Sequence, residues 1–398
     1  MTSRNNIAEV IQSVIPQWIF STKGNQSLSL NGQSIPFWVF KELTTDFVSL
    51  KSKIEEQASQ WATLLVNEYS PTAVSLLQEE LTIEWLKIIA PHVNWYKTIG
   101  HMTRLSQMTF ENMAITTNII ITDSGVGTVD ITDIKIQKLV APLSGTLQTY
   151  FKVDGELRLI EFKNIPWNKL IDEVEFKLYP EFLHPYTLSL GPSDVSIHLT
   201  SHSEILVLKR GGIRAARRKG AWHIYEPQTL KNALVETVGN YYVGCNVFEF
   251  LLDLSFRRHG ALLIFDPEHK VVPNNIVNPA SILKPNGQNT DEIREFLGSV
   301  VQTIRLGQKE GLNGMKRIMM ELASMDGALV FDQNNILAIG AMIRTHPTVG
   351  SFAGARTTAA RSALLYGARP IKVSADGDID VFFCNTSISN DTISFSFL

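Results

Sequence analysis

The chain is predicted to carry an α/β C-terminal domain, a mixed sheet flanked by helices, preceded by an α+β region that is helical first and β-rich after. Three observations carry this. Residues 227–398 alternate between helical composition and short apolar strand-like runs. Residues 106–226 hold short β-branched runs separated by turn pairs such as Gly125-Val126-Gly127, Asp154-Gly155 and Gly191-Pro192. Residues 1–105 repeat apolar residues at helical spacing. The expected boundaries are therefore 1–105, 106–226 and 227–398, within the two or three domains that 398 residues allow.

Ile7, Val10, Ile11, Val14 and Ile15 form the first helical stripe, which Pro16 ends. Phe47, Leu50, Ile54 and Trp61 form a second, and Val74, Leu77, Leu81 and Trp85 a third after Pro71. Such stripes are read as core. In the β-rich region, Ile115, Ile119, Ile121, Val129, Ile131, Val140, Leu147, Tyr150, Leu157 and Leu159 point to a sheet, as a small sandwich or barrel. Asp154-Gly155 marks a hairpin. The basic segment Arg210-Gly211-Gly212-Ile213-Arg214-Ala215-Ala216-Arg217-Arg218-Lys219-Gly220 is read as a solvated hairpin, since no Gly-Lys-Ser/Thr follows its glycines. His92, His101, His184, His198 and His202 lack metal-ligand spacing and are read as structural.

Composition narrows the function. With 44% apolar and 19% charged residues and a formal net charge of −3, the chain has no basic excess to draw it to nucleic acid or an anionic membrane. No run of about 18 apolar residues is present, so no membrane span is expected. Cys245 and Cys384 are the only cysteines, which fits a reduced, cytoplasmic protein. Residues 241–256 form the most apolar stretch, interrupted by Glu249 and Asp253, and read as a buried helix.

Two pieces near the C-terminus carry chemistry. Asp326-Gly327-Ala328 sets an acid on a tight turn before the apolar run Leu329-Val330-Phe331, with a second strand expected over 336–343. Gly354-Ala355-Arg356-Thr357-Thr358 runs into a helix expected from Ala359 to Tyr366, with Thr357 or Thr358 as its cap and Gly367 as its left-handed end. Free N–H groups of that first turn, the helix dipole and the forked donors of Arg356 favour a phosphate. Upstream, residues 291–323 carry Gly307, Gly311 and Gly314 and are expected as two helices. His259 is read as a surface residue at a strand end.

These motifs resemble the diadenylate cyclase domain of the DNA-integrity scanning (DisA-type) family. That family has an Asp-Gly-Ala turn, a Gly-Thr-Arg-His-Arg helix start and a Val-Ser-x-x-x-Gly-x-Ile strand end. The counterparts here are Asp326-Gly327-Ala328, Gly354-Ala355-Arg356-Thr357-Thr358 and, with the last glycine one place early, Val373-Ser374-Ala375-Asp376-Gly377-Asp378-Ile379. The strand Gly260-Ala261-Leu262-Leu263-Ile264-Phe265 resembles the family's Gly-Ala-Leu-Ile-Val-Ile strand. The first Arg is kept; Thr357 and Thr358 stand where the family has His and Arg.

The resemblance implies condensation of two ATP into cyclic di-AMP by two subunits with facing sites, under control of the N-terminal region. It implies catalytic roles for Asp326, Arg356, Thr357 and Thr358, with Asp326 holding Mg²⁺ or Mn²⁺. It also implies nucleotide contacts from Gly327, Ala328, Gly354, Ala355, Gly260 and Phe265. Arg344 and Arg361 are further cations that would make up for the missing His and Arg. The other expectation consistent with Thr357-Thr358 is a nucleotide sensor without turnover.

Overall fold

The computed structural model describes the chain except residues 1, 31–32, 40–41, 68–69, 111, 134, 137–142, 144–148, 166–176, 285–291, 310, 313, 351–353, 385–391 and 398. Val140, Leu147 and Asp291 therefore lie outside the described residues. The chain forms two compact units, Met1–Pro227 and Gln228–Leu398. Within each, α-helices are combined with mixed sheets. Among the described residues no helix is long and apolar enough to cross a membrane.

In the first unit, α1 (Thr2–Val14), α2 (Thr45–Asn67) and α3 (Pro71–Ile89) follow the three apolar stripes of the sequence, with a small sheet of β1 (Ile19–Phe20), β2 (Gln26–Leu30) and β3 (Gln33–Trp38) between the first two; α4 (Trp95–Ser106) is a helix for which no stripe was singled out. Capping fixes two of the starts. The Ser70 hydroxyl accepts from the Ala73 N–H with Pro71 in the first turn, and the Asn94 side chain accepts from the Lys97 N–H.

Among the described residues the strands that follow do not close into a sandwich or barrel. Beyond a short hairpin of β4 (Thr109–Phe110) and β5 (Met113–Ala114), they form one eight-stranded sheet, with β6 (Thr117–Ile121) and β10 (Val195–Leu199) at its centre and β7 (Val129–Asp130) at one edge. One face of these strands, Ile119, Ile121, Val195 and Ile197, shares a single core with Ile11, Leu50, Leu81 and Trp85 of the helices. The helices thus supply the layer that a second sheet would have provided, and residues 1–105 and 106–226 share that core. The Trp85 Nε1–H donates to the Arg214 carbonyl at 2.9 Å, fixing α3 on the sheet. On the opposite face, the ring of Tyr186, on the short helix α5 (His184–Thr187), packs edge-on against His198, with centroids 4.7 Å apart.

The Asp154-Gly155 turn does join an antiparallel hairpin, β8 (Thr149–Val153) and β9 (Arg158–Asn164). The Asp154 carboxylate accepts from the backbone N–H groups of Gly127, Glu156 and Arg158. The basic segment corrects the expectation of a solvated hairpin. Residues 212–218 are an inner strand, β12, between β11 (Ile205–Lys209) and β13 (Ala221–Ile224). Arg218 is 3% exposed and paired with Glu204 at 2.9 Å, so its charge is balanced inside rather than offered to a ligand. Sequence spacing cannot see that partner, which lies a strand away.

The second unit opens with α6 (Pro227–Val238) and α7 (Tyr241–Phe256), the latter buried along most of its length and capped by Asn240. Its sheet has six strands in the order β16-β15-β14-β17-β18-β19. These are β14 (Ala261–Phe265), β15 (Ala328–Phe331), β16 (Ile336–Ala341), β17 (Arg369–Val373), β18 (Ile379–Cys384) and β19 (Thr392–Phe397). β14 and β15 are parallel; the other neighbours are antiparallel. The two helices expected between β14 and the acid turn are α8 (Glu292–Val301) and α9 (Lys316–Ser324). A last helix, α10 (Ala355–Leu365), lies against β14, β17 and β18. Its Ala360 and Ala363 are buried with Leu262, Ile264 and Val330, and these small residues let the helix sit close to the sheet. Gly367, at φ 99°, ends it as expected: its N–H and that of Ala368 reach back to the carbonyls of Leu364 and Ala363.

Candidate functional site

The parallel register of β14 and β15 decides where the site residues fall. Leu263 pairs with Leu329, so three residues earlier Gly260 stands level with Asp326. On the other side of β14, Ala261 pairs with Val373, which sets Ser374 opposite Gly260. The start of α10 reaches the same edge. A side-chain carbon on Gly260 would lie 3.3 Å from Cζ of Arg356 and closer still to its Nη1. Gly260, Asp326 and Arg356 thus come to one end of the sheet across about a hundred residues of chain. Ala328 is buried at the start of β15. Gly354 and Ala355 are exposed at the helix start.

Phe265 does not join them. It ends β14 at the opposite end of the strand, five residues or about 17 Å from Gly260 at the usual rise of an extended chain, with its ring buried against Phe331 and the Arg369 guanidinium. Arg344 is exposed, in the segment after β16.

Local geometry explains the two motifs. Gly327 has φ 99°, and a Cβ there would lie 2.6 Å from the carbonyl oxygen of Gly340, itself at φ 66°. Only a pair of glycines lets the acid turn press against β16 in this way. The Asp326 carboxylate is exposed, and its Oδ1 accepts from the Gly327 N–H at 3.1 Å.

At the other motif, neither Thr357 nor Thr358 is the cap. Gly354, at φ 98°, takes that position with no side-chain hydrogen bond, and the helix begins earlier than expected, at Ala355. The reason is conformational: a left-handed residue is needed to turn into the helix, and glycine adopts it without strain. The first-turn N–H groups of Ala355, Arg356 and Thr357 have no acceptor within the helix itself. The buried Nε of Arg356 likewise has no hydrogen-bond partner among the described residues.

Lys372 and Asp380, which sequence spacing did not single out, complete the surroundings. Lys372, on β17, pairs with Asp380 on β18 at 2.5 Å and donates to the Thr357 hydroxyl at 3.3 Å. The signal was a lysine alternating with the buried Ile371 and Val373, visible only once α10 was known to cover that face. His259 is exposed, as expected, with Nδ1 3.4 Å from the hydroxyl of Ser324, two residues before Asp326.

Helix start, guanidinium and unpaired donors make this edge suited to an anion, and Asp326 beside it to a cation that the anion would share. One carboxylate with a free oxygen matches Mg²⁺ or Mn²⁺, which take one or two carboxylates and complete their shell with phosphate oxygens and water. Among the described residues no cluster of three or more His, Cys, Asp or Glu forms a metal cage of protein ligands alone.

Fold and site thus define an α/β unit in which Gly260, Asp326 and Arg356 come together at one end of the sheet. No protein-family model matches the chain, and no curated protein matches it. Among solved structures it is similar to a hypothetical membrane spanning protein from Bacillus cereus, at 16% identity over 43% of this chain and 76% of that one, with a TM-score of 0.24. It is similar also to a double mutant of DacA from Staphylococcus aureus, at 19% identity over 40% of this chain and 85% of that one, with a TM-score of 0.22. Likenesses at this level carry no functional argument, and the reading below rests on the motifs and the edge they form.

Proposed function

We propose that the second unit is a nucleotidyltransferase that condenses two ATP into cyclic di-AMP, with the first unit as its regulatory region. One observation carries this reading: the three motif pieces that resemble the cyclase family meet at one sheet edge, where Gly260 leaves room for the Arg356 guanidinium. Arg356 and the first turn of α10 bind phosphate oxygens, and Gly327 lets the backbone approach the nucleotide. A divalent cation held by Asp326 and the phosphates would supply charge compensation on the reacting phosphate. The 3′-oxygen of each nucleotide forms a bond to the α-phosphorus of the other, the bond from each α-phosphorus to its pyrophosphate breaks, and each hydroxyl proton passes to an Asp326, so that two ATP give cyclic di-AMP and two pyrophosphates. A second copy of the chain brings the second nucleotide, so the active species is a homo-oligomer. Such chemistry is mainly positioning and charge compensation.

A second reading is a nucleotide sensor without turnover. It is favoured by Thr357 and Thr358, which bring hydroxyls but no charge where the resembling family has His and Arg. Incubation of the full chain with each of the four nucleoside triphosphates and Mg²⁺ or Mn²⁺, followed by mass spectrometry, separates the two. Cyclic di-AMP supports the enzyme. Calorimetric binding with no product under any condition supports the sensor, and no binding at all removes both.

The two glycines of the edge are expected to respond differently to alanine. At Gly260 the new methyl meets the end of a flexible arginine. Gly260→Ala should therefore leave thermal unfolding nearly unchanged while weakening ATP binding by about tenfold, the worth of a displaced charged hydrogen bond. At Gly327 it meets the Gly340 backbone at a left-handed φ, so Gly327→Ala should cost at least about 2 kcal/mol in urea unfolding. Equal stability of the two variants would contradict the geometry of this edge.

A further inference from the structure

We propose that Lys372 is a positioning residue that makes Thr357, and not Thr358, the hydroxyl donor to the bound phosphate; the inference rests on the nucleotide reading above. The two threonines are neighbours on α10 and indistinguishable by sequence, but their hydroxyls are placed differently. Lys372 is an ammonium with donors and no acceptor. Because its Nζ donates to the Thr357 oxygen at 3.3 Å, that hydroxyl's own hydrogen must point to some other acceptor. Thr357 lies in the first turn of α10, where backbone N–H groups also lack intrahelical acceptors, so a phosphate oxygen held there meets both kinds of donor. The Thr358 hydroxyl instead faces back to the carbonyl of Gly354, at 3.5 Å, and its hydrogen is turned into the helix.

Lys372 does not act as a free cation. Asp380 sits 2.5 Å from its Nζ, and both side chains are 16% exposed, so most of the charge is balanced locally. What remains is direction: the pair holds the ammonium under the start of α10, and the ammonium fixes the sense of the Thr357 hydroxyl. A strand residue thereby returns part of what is lost where the resembling family's helix has His and Arg.

The test uses the full chain, Mg²⁺ and an ATP analogue with a methylene between the α- and β-phosphorus, which binds without turnover, and measures affinity by calorimetry. Thr357→Val is expected to weaken binding about 10- to 100-fold, the range for a hydrogen bond to a charged group. Thr357→Ser should restore affinity to within about threefold of the original, and Thr358→Val should stay within the same range. Lys372→Met alone takes the ammonium from beside a half-buried carboxylate, so the double variant Lys372→Met with Asp380→Asn is used; it should bind about tenfold more weakly with a cooperative thermal transition. Equal losses in Thr357→Val and Thr358→Val, failure of Thr357→Ser to restore binding, or original affinity in the double variant would each overturn the role of Lys372 while leaving the nucleotide reading intact. Absence of binding by the unaltered chain would overturn both.

Discussion

Asp326→Asn is expected to lower cyclic dinucleotide formation at least about 100-fold while leaving the thermal transition in place. The carboxylate is exposed, and in the turn its Oδ1 accepts the Gly327 N–H. An asparagine oxygen accepts the same bond, so the turn and the packing of Gly327 on Gly340 survive. What is lost is the negative charge, which the proposed reaction uses to hold the divalent ion and to take the hydroxyl proton. Product is measured by mass spectrometry at saturating ATP and Mn²⁺, and binding of the methylene analogue in parallel. If turnover in the variant equals that of the original chain, Asp326 is only a turn residue and the reaction is assigned to the wrong edge.

Acid is expected to weaken the first unit well before its carboxylates are protonated. Burial pushes His198 down to about 3, and burial together with the nearby Arg104 pushes His101 down to about 4. His198 stays neutral between the Asn118 carbonyl at 2.8 Å and the Ser196 hydroxyl at 2.9 Å. In the unfolded chain both titrate near the ordinary value of 6.5. Above that pH neither state binds the extra proton, and stability is complete. Below it, the unfolded chain takes up protons that the folded chain refuses, so stability falls toward the folded values. By pH 5 the loss is about 2 kcal/mol for each ring and about 4 kcal/mol for both.

Asp130 and Asp154 act lower on the scale. Burial opposes ionisation of each, but hydrogen bonds prevail: from Lys97 and Thr132 onto Asp130, which is held at about 2, and from Arg158, Gly127 and Glu156 onto Asp154. Their contribution is present above the ordinary 3.8 and is lost only as pH falls below it, so it does not alter the window from 7.5 to 5. The reporter is intrinsic: all seven tryptophans lie in the first unit. Urea unfolding followed by their fluorescence at pH 7.5 and pH 5 measures the difference, and His198→Gln should remove about half of it. An unchanged midpoint between the two pH values would count against both buried rings.

The sequence by itself determined what depends on neighbours along the chain. Helical stripes from Ile7 to Trp85, the Asp154-Gly155 hairpin, the break between α8 and α9 and the Gly367 helix end all follow from local periodicity, caps and turn chemistry. The acid turn and the small-residue helix start were also legible, because strained backbone positions require glycine wherever they occur. Only the tertiary structure decided which faces were shared. It laid the N-terminal helices on an eight-stranded sheet instead of closing a sandwich. It set Arg218 against Glu204, brought Gly260 level with Asp326, sent Phe265 to the far edge and put Lys372 under Thr357. The reason is that each of these is a pairing between strands or layers distant in sequence. Alternation shows that a strand has two faces, but not which element will cover either one.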